Sequence, residues 1–89
     1  MIVSQARMAG EELSSVEDSI RELIRTELGK PDLPLPSDAR LIDLGVSSIK
    51  ILRIVAKLEK RYDVELADEV IFKAETLRDF ALLIVRGGD

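Results

Sequence analysis

The sequence predicts an all-α fold, an antiparallel bundle of three main helices with one additional short helix. Three segments repeat apolar residues at helical spacing, and hydrophobic residues make up 46% of the chain, enough for one core. All three prolines fall within residues 31–36, which separates the first helical segment from the second. With 89 residues the chain forms one small domain. We divide it into a flexible N-terminal arm, 1–10, and a helical domain, 11–89.

The first helix is predicted from about Glu11 to Leu28, because one apolar stripe runs along it. Ser14 and Glu17 have the spacing of a capping box, although they could equally lie inside the helix. Gly29 is suited to end the helix. The stripe consists of Leu13, Val16, Ile20, Leu23, Ile24 and Leu28.

Residues 30–46 form a loop that is long for so small a domain. Its prolines rule out a continuous helix. Its apolar residues predict that it packs against the helices instead of extending into solvent. These residues are Leu33, Leu35, Leu41, Ile42 and Leu44.

The second helix is predicted from Ser48 to Arg61 and is amphipathic. Residues 48–61 carry five basic side chains and one acid, a net charge of +4, which leaves −8 for the rest of a chain whose total is −4. The helix therefore has a buried apolar side and an exposed basic side. The apolar side holds Ile51, Val55, Leu58 and Tyr62, and the basic side holds Lys50, Arg53, Lys57, Lys60 and Arg61.

A short third helix is predicted near Asp68–Phe72, and we expect at least two of its three apolar residues, Val70, Ile71 and Phe72, in the core. The last helix begins after Thr76, which forms a second capping box with Asp79. Its buried side is predicted to consist of Leu77, Phe80, Ala81, Leu83 and Ile84.

Composition excludes several classes of function. The chain contains no His and no Cys, which excludes the usual zinc sites, disulfides and histidine-based catalysis. A net charge of −4 disfavours general nucleic-acid binding. No apolar run approaches the length that spans a membrane, and the first eight residues are too weakly apolar for a signal peptide. We therefore expect a soluble cytoplasmic protein that binds neither a metal, nor nucleic acid, nor a membrane.

Two adjacent serines stand where the loop meets the second helix. Ser47 occupies the N-cap position, and Ser48 is then the first helical residue, with Gly45 allowing a tight turn before them. A phosphoryl group on Ser48 would meet the positive end of the helix dipole. Local physics alone nevertheless favours two serines that merely start a helix. A catalytic Ser48 is disfavoured because Lys50, two residues on, does not face it.

The segment "DLGVSSIKILRIVAKLEKRYDVEL" resembles the phosphopantetheine attachment region of acyl carrier proteins. That family commonly shows Asp-Leu-Gly-x-Asp-Ser-Leu, followed by an amphipathic helix that ends near an aromatic residue. Asp43, Leu44 and Gly45 match, Ser48 falls on the modified serine, and Tyr62 falls on the aromatic. The resemblance extends over residues 11–86. Two departures are Ser47, where the family usually has Asp, and Ile49, where it usually has Leu.

The resemblance implies that 4'-phosphopantetheine is attached covalently to Ser48 by a phosphopantetheinyl transferase, from coenzyme A and with magnesium. The arm would hold an acyl, aminoacyl or aryl group as a thioester and present it to acyl-loading, condensing or tailoring enzymes. The protein itself would not be an enzyme, and carriers of this kind are expected to be monomers.

The resemblance also implies a docking surface along the second helix. Ile49, Leu52 and Ala56 would supply apolar contacts near the arm, and Lys50, Arg53 and Lys57 would steer acidic patches of partner proteins. Ile71, with its neighbours in the third helix, would complete this face and form part of an acyl pocket. The alternative reading of the basic side chains is an ordinary solvated face.

Members of the fatty-acid type carry acids on the second helix, so the basic residues here favour a free-standing carrier of a specialised pathway, polyketide or hybrid. A peptidyl or aryl carrier is an alternative, although the Gly-Gly-x-Ser-Leu motif of peptidyl carriers is absent. An unmodified helical interaction module is a second alternative, and Ser48 would then only start the helix. A small enzyme is least supported, because Asp38 and Asp43 read as turn or capping residues.

Overall fold

A computed structural model describes residues 2–87 of the protein, with side chains described for residues 12–87. The chain forms helix α1 (Ile2–Leu28), a 3₁₀ turn (Ile42–Leu44), and helices α2 (Ser48–Tyr62), α3 (Asp68–Ile71) and α4 (Leu77–Val85). Within residues 2–87 no strand is present beyond a single isolated antiparallel bridge between Arg40 and Thr76. The predicted all-α bundle is confirmed.

Helix α1 is longer than the sequence predicted, because it begins at Ile2 and not near Glu11. Residues 5–9 are Gln, Ala, Arg, Met and Ala, and these residue types favour a helix even without an apolar stripe. The flexibility of the arm 1–10 stays a prediction. Met1, which begins the predicted arm, and residues 88–89, which end the predicted helical domain, lie outside the described residues.

Ser14 and Glu17 lie inside α1 and do not cap it. Glu17 is instead a buried carboxylate, 6% exposed, that accepts a hydrogen bond from Nε of Arg78 in α4 at 3.4 Å. This pair joins the first and last helices of the bundle.

The core lies between α1, α2 and α4, and α1 makes its most extensive contact with α4. Each helix presents the apolar side that its periodicity predicted, with Ile54 of α2 as an additional buried residue. Burying one such side chain fully contributes about 1.5–3 kcal/mol, so a continuous cluster of this size holds the helices together. Its helical members are Val16, Ile20, Leu23 and Ile24 from α1, Ile51, Ile54, Val55 and Leu58 from α2, Ile71 from α3, and Leu77, Phe80, Ala81 and Ile84 from α4.

The long loop packs against the helices, as its apolar residues predicted. Leu35 and Leu41 are buried, although Ile42 is 61% exposed. Two arginines of α1 hold the proline-containing part by donating to its backbone carbonyls: Arg21 Nε lies 2.7 Å from Leu35 O, and Arg25 Nε lies 3.1 Å from Leu33 O. The far end of the loop is fixed by backbone hydrogen bonds to the start of α4.

The prediction that at least two apolar residues of α3 lie in the core is wrong. Ile71 is buried at 3% exposure, Val70 is half-buried and outside the core cluster, and Phe72 is 56% exposed. A helix of four residues makes about one turn, so only one of its side chains can point at the bundle.

The predicted capping box of α4 is confirmed. Thr76 Oγ1 accepts from the Asp79 N–H at 3.1 Å, and Asp79 Oδ2 accepts from the backbone N–H groups of Thr76 and Glu75, both at 3.0 Å. These backbone hydrogen bonds lower the pKa of Asp79 below its ordinary value.

Candidate functional site

The turn that leads into α2 fixes the position of the two serines. After the 3₁₀ turn, Gly45 adopts a left-handed conformation with φ of 90°, and its N–H donates to Ile42 O at 3.1 Å. Val46 is then buried, with 1% exposure, and its N–H donates to Leu41 O at 3.1 Å. Because the chain reverses direction at Gly45 and Val46 is buried, Ser47 and Ser48 lie at the surface of the bundle.

Ser47 caps α2. Its Oγ accepts a hydrogen bond from the Lys50 N–H at 3.3 Å, and its carbonyl accepts the first backbone hydrogen bond of the helix, from Ile51, at 2.8 Å. The sequence prediction for Ser47 is therefore confirmed. Because Ser47 makes the cap, the hydroxyl of Ser48 is left out of it.

Ser48 is the first residue of α2 and is exposed. It lies where backbone N–H groups and the helix dipole give the helix end a partial positive charge. A phosphodiester attached to this hydroxyl would therefore be favourably placed. The chain has no His that could activate the hydroxyl.

A cleft of about 190 Å³ opens beside Ser48. Its walls come from α2, α3, α4 and the long loop, and most of them are apolar. The cleft is smaller than the range of about 300–1,000 Å³ that is typical of ligand pockets. It is lined by Arg40, Ile42, Ser48, Ile51, Ile71, Phe72, Ala74, Glu75 and Phe80.

The large apolar side chains that the described surface exposes gather around Ser48. Ile42 and Phe72, 61% and 56% exposed, line the cleft. Ile49, the residue after Ser48, is 65% exposed, and Leu52, one turn further along α2, is 38% exposed. Exposed apolar patches on soluble proteins mark sites of interaction.

Most residues that the sequence assigned to partner binding are at the surface of α2. Ile49, Leu52 and Ala56 are exposed along one side, Lys57 is exposed, and Lys50 is half-buried. Ile71 is different, because at 3% exposure it lies in the core and lines the cleft. It therefore offers little outer surface to a docked protein, and its role in partner binding stays a prediction.

The basic side of α2 is exposed at four of its five residues, with Lys50 half-buried, and two of its arginines lie near carboxylates of α1. Arg53 Nη1 lies 3.5 Å from Oε2 of Glu27, a carboxylate of α1 that is only 14% exposed. Arg61 Nη2 lies 4.0 Å from Oε1 of Glu22, also in α1. Two of the five basic side chains thus face helix α1.

Sequence reasoning missed two residues at the cleft: Ile42, which it assigned to packing of the long loop, and Arg40, which it did not single out. Phe72 was included, as a neighbour of Ile71, in the predicted docking face and acyl pocket. Arg40 has its guanidinium nitrogens 4.0 Å from Asp43 Oδ2 and 3.7 Å from Glu75 Oε1, and all three side chains are more than half exposed. The sequence signal for the exposure of Phe72 is the shortness of α3, because so short a helix cannot bury three consecutive apolar residues. No sequence signal marked Arg40, since its position depends on the bridge to Thr76.

A larger open groove, of about 600 Å³, lies along α1 near the start of the long loop. It is remote from Ser48, and its Arg21 and Arg25 are engaged with carbonyls of the loop. Over the residues that the structure describes, no group of three acids could hold a metal ion. In the same part of the chain no helix has the length and apolar character needed to cross a membrane.

Comparison with known proteins agrees with this arrangement. The family model of the phosphopantetheine attachment site matches residues 18–84, which include α2 and both serines. An acyl carrier protein from Akkermansia muciniphila is 31% identical over 72 residues, which cover 80% of this chain and 90% of that protein. The two matches imply a covalently attached phosphopantetheine. On this evidence the chain belongs to the acyl carrier protein family.

Proposed function

We propose that the protein is a free-standing acyl carrier that holds an acyl group on a phosphopantetheine arm at Ser48 and presents it to acyl-loading, condensing or tailoring enzymes. One observation carries the site: Ser48 is the exposed first residue of α2, left out of the cap by Ser47, at the mouth of an apolar cleft. Modification of Ser48 therefore requires no rearrangement of the helix end.

The residues present fit the arm. The Ser48 oxygen would form the phosphodiester bond as the pyrophosphate bond of coenzyme A breaks and adenosine bisphosphate leaves, with the serine proton passing to a base of the transferase. The positive end of α2 favours the new negative charge by about 0.3–1 kcal/mol. The terminal thiol of the bound arm supplies the sulfur, and hence the thioester, that a chain without Cys lacks.

The protein would act by tethering and not by catalysis. Acyl carrier proteins are carriers, and the described surface around Ser48 has exposed apolar residues but no His or Cys. A tethered substrate reaches each bound enzyme at a high effective concentration, so weak docking is sufficient. We propose that it works as a monomer in the cytoplasm.

The pathway we propose is a specialised one, polyketide or hybrid. Support comes from the basic residues of α2, which suit partners other than those of carriers with an acidic second helix. A peptidyl or aryl carrier is the alternative within the family. An unmodified interaction module is the alternative outside it, and Ser47, in place of the usual Asp, is the observation that favours it.

The test is to incubate the purified protein with a broad-specificity phosphopantetheinyl transferase, coenzyme A and magnesium, and to record the intact mass. We expect a gain of one phosphopantetheine in the wild type and none in Ser48→Ala. Ser47→Ala is the matched control: it loses a cap worth about 1 kcal/mol but keeps the acceptor, so it should still gain the mass. No gain with several transferases would favour the unmodified module.

A further inference from the structure

Arg40 and Ser48 line the same cleft, the one of about 190 Å³ between α2, α3, α4 and the long loop. Among the described residues that line this cleft, Arg40 is the only base and Glu75 is the only acid. The backbone of Arg40 is held by its bridge to Thr76, directly before α4. Its side chain is 55% exposed, so the guanidinium lies at the rim of the cleft and is open to solvent.

The Arg40 guanidinium has two weakly bound partners. Its Nε lies 4.0 Å from Asp43 Oδ2, and its Nη2 lies 3.7 Å from Glu75 Oε1. Both distances are longer than the roughly 2.7–2.9 Å of a charge-assisted hydrogen bond between a guanidinium and a carboxylate. All three side chains are more than half exposed, and ion pairs of this kind contribute little to stability. The guanidinium can therefore exchange these partners for another anion at little cost.

The charges at this rim would disfavour a further anion if Arg40 did not bind it. One guanidinium and two carboxylates give a local charge of −1, and a phosphodiester on Ser48 would add another negative charge to the same cleft. Other bases are less well placed. Lys50 lies about 200° around α2 from Ser48, and Lys73 lines a separate groove between α3 and α4. Arg40 is therefore the base best placed to neutralise a phosphodiester at Ser48.

We infer that, once Ser48 carries the arm, the Arg40 guanidinium binds the phosphodiester of the arm in exchange for Asp43 or Glu75. Paired N–H donors of a planar guanidinium match two oxygens of a phosphate, so this contact is stronger than the two loosely aligned carboxylate contacts. Arg40 is then a positioning residue, which holds the first atoms of the arm at the rim of the cleft. The inference rests on the proposed function, since it requires the arm at Ser48.

The test is a cycle of four full-length proteins: the wild type and Arg40→Gln, each without and with the arm, whose attachment is verified by intact mass. Urea unfolding is measured for all four at low salt. Arg40→Gln should raise the unfolding equilibrium constant about threefold more in the modified protein than in the unmodified one, as one exposed charge pair would give. This excess should disappear at high salt. An Arg40 that only links the loop to α4 would change both forms by the same factor.

Arg61→Gln is the matched control. Arg61 is also an exposed arginine close to a carboxylate, with its Nη2 4.0 Å from Glu22 Oε1, but it lies near the end of α2 that is remote from Ser48. Its substitution should change the unmodified and the modified protein by the same factor. Dispersed amide spectra establish that each variant retains the fold.

A second measurement uses the wild type and needs no variant that has to fold. In ¹⁵N-labelled protein, the Nε–H resonance of Arg40 should shift when the arm is attached, because the guanidinium changes its partner. The Nε–H resonance of Arg61 should stay in place. The ³¹P resonance of the arm should in turn differ between the modified wild type and modified Arg40→Gln.

The inference is overturned if Arg40→Gln changes both forms by the same factor, if Arg61→Gln shows the same excess, or if the Arg40 resonance does not respond to the arm. A normal mass gain at Ser48 together with any of these results would keep the carrier and reject the role of Arg40. No mass gain at Ser48 would reject the carrier itself, and the partner assigned to Arg40 with it.

Discussion

The hydroxyl oxygens of Tyr62 and Ser19 lie 2.7 Å apart, so the last residue of α2 is hydrogen-bonded to the middle of α1. The Tyr62 ring packs against the core, while its oxygen reaches across to the neighbouring helix. The aromatic position at the end of the second helix, which the family resemblance picked out, thus has a specific structural role. It fixes the end of α2 that is remote from Ser48.

Tyr62→Phe removes this hydrogen bond and keeps the ring. We expect a loss of about 0.5–1.5 kcal/mol in the free energy of unfolding, measured by urea denaturation. Ser19→Ala should cost a similar amount, and the double variant should cost less than the sum of the two, because both remove the same bond. Strictly additive effects would show that the two hydroxyls do not interact.

Gly45 lies in the turn before the serine pair and has a left-handed φ of 90°. Substituting it tests how much backbone strain affects stability at this turn. A Cβ at this position would meet no atom within 4 Å, so Gly45→Ala should be destabilised by backbone strain alone, about 1 kcal/mol. Gly45→Asn should lose less, since Asn tolerates this conformation better. Equal losses in the two variants would mean that strain is not the cause.

Ile71 and Phe72 both line the cleft but differ in burial, so replacing each by alanine should have different effects on stability. Ile71→Ala removes a buried side chain and should cost about 2–5 kcal/mol in unfolding free energy. Phe72→Ala removes a larger side chain that is 56% exposed, and should cost less than about 1 kcal/mol. Thermal or urea unfolding of the two variants side by side checks this. A larger loss for Phe72→Ala would place Phe72 in the core.

The lowered pKa of Asp79 predicts that the free energy of unfolding depends on pH in the acid range. The backbone hydrogen bonds from Thr76 and Glu75 lower its pKa in the folded protein, so the unfolded chain takes up the proton first as the pH falls. Its contribution to stability is therefore complete above the ordinary pKa of an aspartate and is lost as the pH falls through the lowered value. Unfolding free energies measured from neutral to acid pH should decline less steeply for Asp79→Asn.

Thr76→Ala serves as the control for this pH dependence, because it removes one side of the capping box and keeps the carboxylate. It should lower stability at neutral pH by about 1 kcal/mol while retaining part of the acid dependence. Parallel curves for the wild type and Asp79→Asn over the whole range would contradict the assigned role of Asp79.

Much of the fold could be predicted because it depends on local signals. The spacing of Ile51, Val55 and Leu58 identified α2, and the side chains of Ser47 and Thr76 identified the starts of α2 and α4. Both caps form within four residues of sequence, so no knowledge of the packing was needed. The position of Ser48 follows from the same local geometry, although its modification rests on the family resemblance.

The remaining features depend on how distant segments meet. The pairing of Arg53 with Glu27 joins residues 26 positions apart, and nothing in the local sequence of α2 distinguishes Arg53 from Lys57. Phe72 is exposed because α3 is only one turn long and because of the orientation in which α3 packs against the bundle. The early start of α1 was missed because helix propensity can extend a helix beyond the apolar stripe on which the prediction relied.

The concentration of charge on α2, whose residues 48–61 carry five basic side chains and one acid, changes how the overall charge of the molecule should be understood. Electrostatic fields in physiological salt decay over about 8 Å, whereas a helix of 15 residues is about 22 Å long. An approaching protein therefore senses the side of the molecule that is nearest to it. The isoelectric point of 4.8 reflects the acidic charge of the whole chain, whereas the charge nearest to a protein that approaches α2 is positive.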